Sequence, residues 1–219
     1  MRFSLRAFDE WQNIFLWSLL MKMVPKKIAN LYSYVRFLDN TIDDMGKSRE
    51  ERLEFLEQEK NLLMADKHQI YNQVDITLQE KIMLLEIIET LAFDAMRCGI
   101  AVEFERLEEN YKRQGLLIAE LTGIFKTASD KTIANVYWAG VLFDTACDLE
   151  IDLKAGYLNC PAADEKGKKR WQRKITVEGF KLLPYAFKLL VSARNRYGVF
   201  VFIISTRFAY LSSRFLFVR

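Results

Sequence analysis

Glycine and proline are scarce in this chain. Nine and three of them in 219 residues make about 5%, where average usage is about 12%. So few turn-formers leave little material for the corners of an all-β sandwich or barrel, and long helices are the natural alternative. Cysteine is scarce as well: Cys98, Cys147 and Cys160, with no CxxC pair and a single histidine, His68. That excludes a disulfide framework and argues against a Cys/His zinc centre. Reduced thiols in a cytoplasmic protein are the expectation. Neither charge sign dominates, since 32 Lys/Arg face 29 Asp/Glu for a net +3, and nucleic-acid binding is not expected. A long uncharged apolar run is also missing. Residues 14–23 are apolar but follow Asp9 and Glu10, without a cleavage-site pattern. Residues 199–217 are interrupted by Arg207 and Arg214, each costly at a bilayer centre. They read as a core-facing helix that can touch a membrane surface.

What the chain does contain is apolar residues in helical register, 51% of the total, too many for a disordered polymer. Ile28, Leu31, Val35, Leu38 and Ile42 form one stripe over residues 25–45, the period of an amphipathic helix. Residues 46–48 break it, and Ser48 with Glu51 offers a capping box for the next helix. Further helices are expected at about 78–102, 104–126, 131–154, 170–195 and 199–217, with a turn at 128–130 and a charged loop at 162–169. The fold class is therefore all-α: one domain over residues 1–219, a bundle of seven or eight helices with no internal repeat.

The informative residues are carboxylates at helical spacing. Asp39 and Asp43 stand one turn apart on one face, with Tyr32 and Arg36 on the same stripe. That stripe flanks the apolar one rather than opposing it, as expected of a helix lining a cavity. Asp144, Asp148 and Asp152 form a second row, again spaced by four, about 110 residues downstream of the first. Stacked like charges cost a helix a few tenths of a kcal/mol per pair. Hard divalent cations compensate them, because Mg²⁺ prefers carboxylate oxygens, keeps waters and bridges to phosphates. Two facing acidic helices would hold Mg²⁺ around one diphosphate and assist its departure. An aromatic bundle interior would exclude water and stabilise a carbocation. The plainer alternative is that each DxxxD marks a solvated face. On that view Arg36 is a salt-bridge partner of Asp39 or Asn40, Tyr32 is core, and Lys154 favours a helix C-terminus.

At these residues the sequence resembles the squalene/phytoene synthase family, the head-to-head trans-prenyl diphosphate synthases. Residues 31–44, LYSYVRFLDNTIDD, look like the family's first aspartate motif, with the preceding Tyr and Arg in register. Residues 13–15 and 23–26 look like the approach to it. Residues 147–156, CDLEIDLKAG, continuing to Pro161, look like the second motif and its exit loop. Residues 111–123 weakly resemble the helix between the motifs, and 180–184 and 196–199 the late helices. The resemblance implies an isoprenoid-synthase bundle around a central cavity, in which Asp39 and Asp43 face Asp148 and Asp152 and hold Mg²⁺ with prenyl diphosphate. It places Arg36 and Lys154 at the diphosphate and Tyr32 and Tyr111 along the cavity, with Asp144 among the substrate-binding residues. The implied reaction joins two farnesyl or geranylgeranyl diphosphates through a cyclopropyl intermediate to a squalene-, dehydrosqualene- or phytoene-type product, with NADPH needed only for squalene.

Where the family usually has Gln and Asn ahead of the second motif, this chain has Val141 and Asp144. Ile151 replaces a common acidic residue, the exit-loop Tyr is replaced or shifted (Tyr157 or Asn159), and the chain is short for the family at its C-terminal end. Two other readings fit these departures. One is a terpene-cyclase-like or aromatic-prenylating enzyme using one prenyl diphosphate, and the other a non-catalytic member acting in assembly or interaction. Residues 179–219 carry seven Lys/Arg and no Asp or Glu, and follow Lys166, Lys168, Lys169 and Arg170. This basic, apolar region is the expected place for peripheral contact with a membrane.

Overall fold

Several helix starts are written in local chemistry. In the computed structural model, which describes residues 25–44, 46–123, 127–154, 156–157 and 164–192, the first helix (α1, Lys26–Ile42) follows Pro25, whose φ is −54°. The second (α2, Arg49–Met64) opens on the expected capping box: the Glu51 amide donates to Ser48 Oγ at 3.2 Å, and the Ser48 amide to the Glu51 carboxylate at 2.7 Å. Thr77 and Glu80 repeat the device at the third helix (α3, Leu78–Met96). Each box satisfies amides that the helix itself leaves without partners. The fourth helix (α4, Phe104–Thr122) ends on Gly123 at φ +61°, the left-handed conformation that a residue without Cβ adopts at no steric cost. The fifth (α5, Asp130–Lys154) is the longest.

Two expectations are corrected downstream of α5. Residues 165–169 are helical rather than a charged loop, because Asp164 caps a sixth helix (α6, Glu165–Lys181) by accepting from the Gly167 amide at 2.7 Å. That helix also does not run through to residue 195. It stops at Leu182, and a seventh (α7, Leu183–Ser192) begins with Pro184 in its first turn, where a missing N–H costs nothing. Similarly, α3 ends at Met96 and not near 102, since Gly99 turns the chain at φ +78°. The approach segments at 13–15 and 23–24, the apolar stretch 14–23, Asn159, Pro161 and the helix expected at 199–217 lie outside the described residues.

The bundle is all-α, one domain, with seven α-helices, one 3₁₀ turn (Gln69–Asn72) and no β-strand among the described residues. No described helix is long and apolar enough to cross a membrane. His68, the lone histidine, is structural: it is buried, its Nδ1 accepts from the Ile70 amide at 3.0 Å, and its Nε2 lies 2.9 Å from Glu59.

The apolar core comes in two halves. In one, Leu31, Leu38 and Ile42 of α1 meet Leu56 and Leu63 of α2 and Leu84, Ile87, Ile88 and Leu91 of α3. In the other, α5 packs Val136, Ala139 and Phe143 against Ala186 and Leu189 of α7, and Trp138, Leu142 and Ala146 against Leu107 of α4 and Ile175 of α6. Helix α4 touches both halves, whereas α1 packs on α2, α3 and α4 without an extensive contact to α5. Between α1 and α5 the structure is therefore held apart, and α4 fixes the separation. Its Gly115 makes this possible: a Cβ there would fall 2.4 Å from Cγ of Tyr137 on α5. Gly115→Ala is predicted to cost about 1–3 kcal/mol through forced repacking. Urea unfolding checks this, and a wild-type midpoint would contradict the close α4–α5 contact.

Candidate functional site

The stripe expected on α1 is intact, with Tyr32 and Asp39 half-buried and Arg36 and Asp43 exposed. Arg36 donates through Nη1 to Asp39 Oδ2 and through Nη2 to Asn40 Oδ1, the latter at 3.3 Å. The local salt bridge weighed for Arg36 is thus present. Arg36 still reaches solvent, with 47% of its side chain accessible against 28% for Asp39.

The electrostatics show what stands opposite. Burial is the largest influence on Asp43 and pushes its pKa up to about 7; the negative charges of Asp39, Asp94 and Asp152 add to the rise and Arg36 opposes it. Asp39 is raised too, first by burial and then by Asp94, against the neighbouring Arg36. Asp43 has open accessible surface, yet enough protein surrounds it to remove much of its hydration. The Asp152 charge on α5 is the smallest of these influences on Asp43, so the two acidic rows lie within electrostatic reach of one another.

The opposing wall is aromatic. Tyr137 of α5 has its hydroxyl pKa raised well above the ordinary value, first by burial, then by Asp39, Tyr32 and Asp94, with Arg36 opposing. Its hydroxyl donates to Gln114 Oε1 at 3.0 Å. Tyr32 is raised by burial in the same way, with Arg36 opposing. On the other side Tyr111 stacks on Trp138 at 6.1 Å between ring centres, and Phe104 lies 5.3 Å from Trp138 and 5.6 Å from Trp171.

Sequence reasoning missed the floor of this space. Asp94, buried on α3, accepts from Arg97 Nε and, at 2.7 Å, from the Tyr111 hydroxyl, to which Arg97 Nη2 also donates at 2.7 Å. Burial works against the Arg97 charge, but Asp94 and Tyr111 outweigh it and hold the guanidinium more firmly protonated. A signal was present: Asp94 continues the buried stripe of Ile87 and Leu91, a place where an acid needs a reason.

A second missed group is Arg52 of α2, only 1% exposed. It donates to the Tyr157 hydroxyl at 2.9 Å and to the Asp44 carbonyl at 3.0 Å, while its Nε finds no partner. The Tyr157 ring lies between two guanidiniums, Arg97 at 4.7 Å and Arg52 at 5.6 Å. Its hydroxyl is pushed up to about 12, first by burial and then by Asp43. The Gly99 amide donates to the Gly156 carbonyl at 2.7 Å, so the chain leaving α5 is pinned to the end of α3.

The structure thus gathers Asp39, Asp43 and Asp152 with Asp94, Arg36, Arg97, Tyr32, Tyr111, Tyr137 and Tyr157. Asp144 is half-buried on α5, whereas Asp148 and Lys154 are exposed. Among the described residues no group of three or more Asp, Glu, His or Cys side chains converges closely enough to cage an ion. An all-oxygen donor set of one or two carboxylates at a time suits a hard cation that brings waters and phosphate oxygens with it. No protein-family model, curated protein or solved structure matches the chain.

The sign of the pH dependence follows. Folded, ligand-free protein keeps the Asp43 proton up to about pH 7, whereas an unfolded Asp releases it near about pH 4. The folded state binds more protons between these values, so this contribution is full below pH 4 and is lost as pH rises to 7. Asp43→Asn is predicted to flatten that decline and to exceed wild-type stability at pH 8 but not at pH 4. Urea titrations across that range test it, and equal offsets at both ends would refute the crowding of Asp43.

Proposed function

We propose that this chain is a Mg²⁺-dependent prenyltransferase of the squalene/phytoene synthase type, joining two prenyl diphosphates head to head. The observation that carries the reading is the shared field of Asp43 on α1 and Asp152 on α5, with Asp39 and Asp94 beside them, across a gap where the two helices do not pack. Burial with only Arg36 beside them is a costly arrangement for the Asp39 and Asp43 carboxylates in the ligand-free protein. It becomes favourable when cations and a polyanion enter.

Asp39, Asp43 and Asp152 would hold Mg²⁺, with the exposed Asp148, the middle member of its row, joining them and Asp94 supporting from α3. Bound Mg²⁺ withdraws electron density from the diphosphate and stabilises the charge that develops as it leaves. Arg36 already reaches solvent at the mouth and is placed to exchange its bond to Asp39 for phosphate oxygens. Arg97 is fixed by Asp94 and Tyr111, which keeps a permanent cation near the leaving group's path. Tyr32, Tyr137, Tyr111 and Trp138 exclude water and offer π faces to an allylic cation. Val141, where the family has Gln, makes this wall more apolar and leaves the phosphate contacts to the arginines.

A second reading, a non-catalytic binding or assembly protein, is favoured by one specific observation: no three donors converge among the described residues. Incubation with Mg²⁺ and labelled farnesyl or geranylgeranyl diphosphate separates the readings. A head-to-head hydrocarbon with released diphosphate supports coupling, a cyclised or aromatic-linked product supports the one-substrate enzyme, and no turnover supports the scaffold. Asp39→Asn and Asp152→Asn are each predicted to lower turnover by about 10²-fold or more with an unchanged helical signal by circular dichroism. Full activity in both variants would put the chemistry elsewhere.

A further inference from the structure

Helix α6 is charged out of proportion to the chain. It holds seven Lys/Arg against Glu165 and Glu178, a net +5 in a protein whose total is +3, so the remainder is slightly acidic. Lys168 and Lys181 are neutralised by Glu165 and Glu178 at 2.8 and 2.7 Å. The other five, Lys166, Lys169, Arg170, Arg173 and Lys174, are exposed, and none has a carboxylate within ion-pair distance among the described residues. Residues 193–219, which follow α7, contain no Asp or Glu to neutralise them.

Their register is as informative as their number. At about 100° per residue the five fall within one arc of about 140°. The opposite side of α6 buries Ile175, Thr176 and Gly179, with Gln172 donating to the Ala146 carbonyl of α5 at 2.9 Å. Val177, 52% exposed, sits in the middle of the basic arc, and Phe187 of α7 is 62% exposed. Lys174 lies 5.2 Å over the Trp171 ring. Cations interleaved with protruding apolar side chains fit a surface that is negative outside and greasy just beneath. Phosphates of a nucleic acid would match the charge but leave Val177 without a partner.

We propose that the outer face of α6 is a docking surface for an anionic lipid bilayer. It places the protein on a membrane peripherally, and the claim stands whether or not the acidic gap is catalytic. The test is co-sedimentation of the full chain with vesicles of phosphatidylcholine alone or with about 30% phosphatidylserine. Expected is binding at least about 10-fold tighter to the anionic vesicles, abolished at about 0.5 M NaCl. The triple variant Lys169→Glu, Arg170→Glu, Arg173→Glu should lose it, as should the milder triple Gln variant, both with wild-type melting because all three side chains are exposed. Equal binding to both vesicles, no binding to either, or variants that bind like wild type would overturn the proposal. Tight binding to a duplex oligonucleotide without vesicle binding would overturn it in favour of nucleic acid.

Discussion

Crowded carboxylates on α1, α3 and α5, only partly matched by Arg36 and Arg97, are the constraint around which this bundle is arranged. Burial and the neighbouring carboxylates make Asp39 and Asp43 hold their protons more firmly, and a protein built only for stability would fill such a space with apolar side chains. The surroundings instead supply just enough positive charge to keep the gap folded. Arg97 is pinned to Asp94, Arg36 lies along Asp39, and Arg52 is buried behind Tyr157. On the proposed function, the crowded outer carboxylates are where a cation and its anionic cargo would gain most by entering.

The scaffold follows from that need. Two apolar halves each close their own core, and α4 spans them, so α1 and α5 can face one another without collapsing together. Gly115 lets α4 approach Tyr137 closely, which fixes α5 through rigid contact. Where α5 ends, Tyr157 and the Gly99–Gly156 hydrogen bond tie its exit to α2 and α3. The position of Asp152 is thereby set from both ends of its helix.

Much of this was readable beforehand, and the limits have physical causes. Capping at Ser48 and the i, i+4 rows depend on neighbours within one helical turn, so the residues announce them. Asp94 stands alone in an apolar helix with no repeated acid to mark it. Arg52 sits in a run of glutamates that reads as a solvated face, and only the fold, by laying Tyr157 over it, makes it buried. Residues 165–169 looked like a loop because charge was taken as a sign of exposure without structure, although an Asp cap and an i, i+3 ion pair build a helix from the same residues. Which aspartates actually meet is a tertiary fact. Asp43 and Asp152 come within electrostatic reach of one another, and Asp148 is exposed.

The proposed role of this acidic cluster is to receive a metal–diphosphate pair. Calorimetric titration with a non-ionisable thiolodiphosphate analogue of farnesyl diphosphate, with and without Mg²⁺, tests it most directly. The account predicts saturable binding that requires Mg²⁺, releases protons at pH 7 as Asp43 gives up its own, and disappears in a protein carrying both Asp43→Asn and Asp152→Asn. Binding that ignores Mg²⁺ or survives the double substitution, or no heat at all from a folded protein, would contradict it.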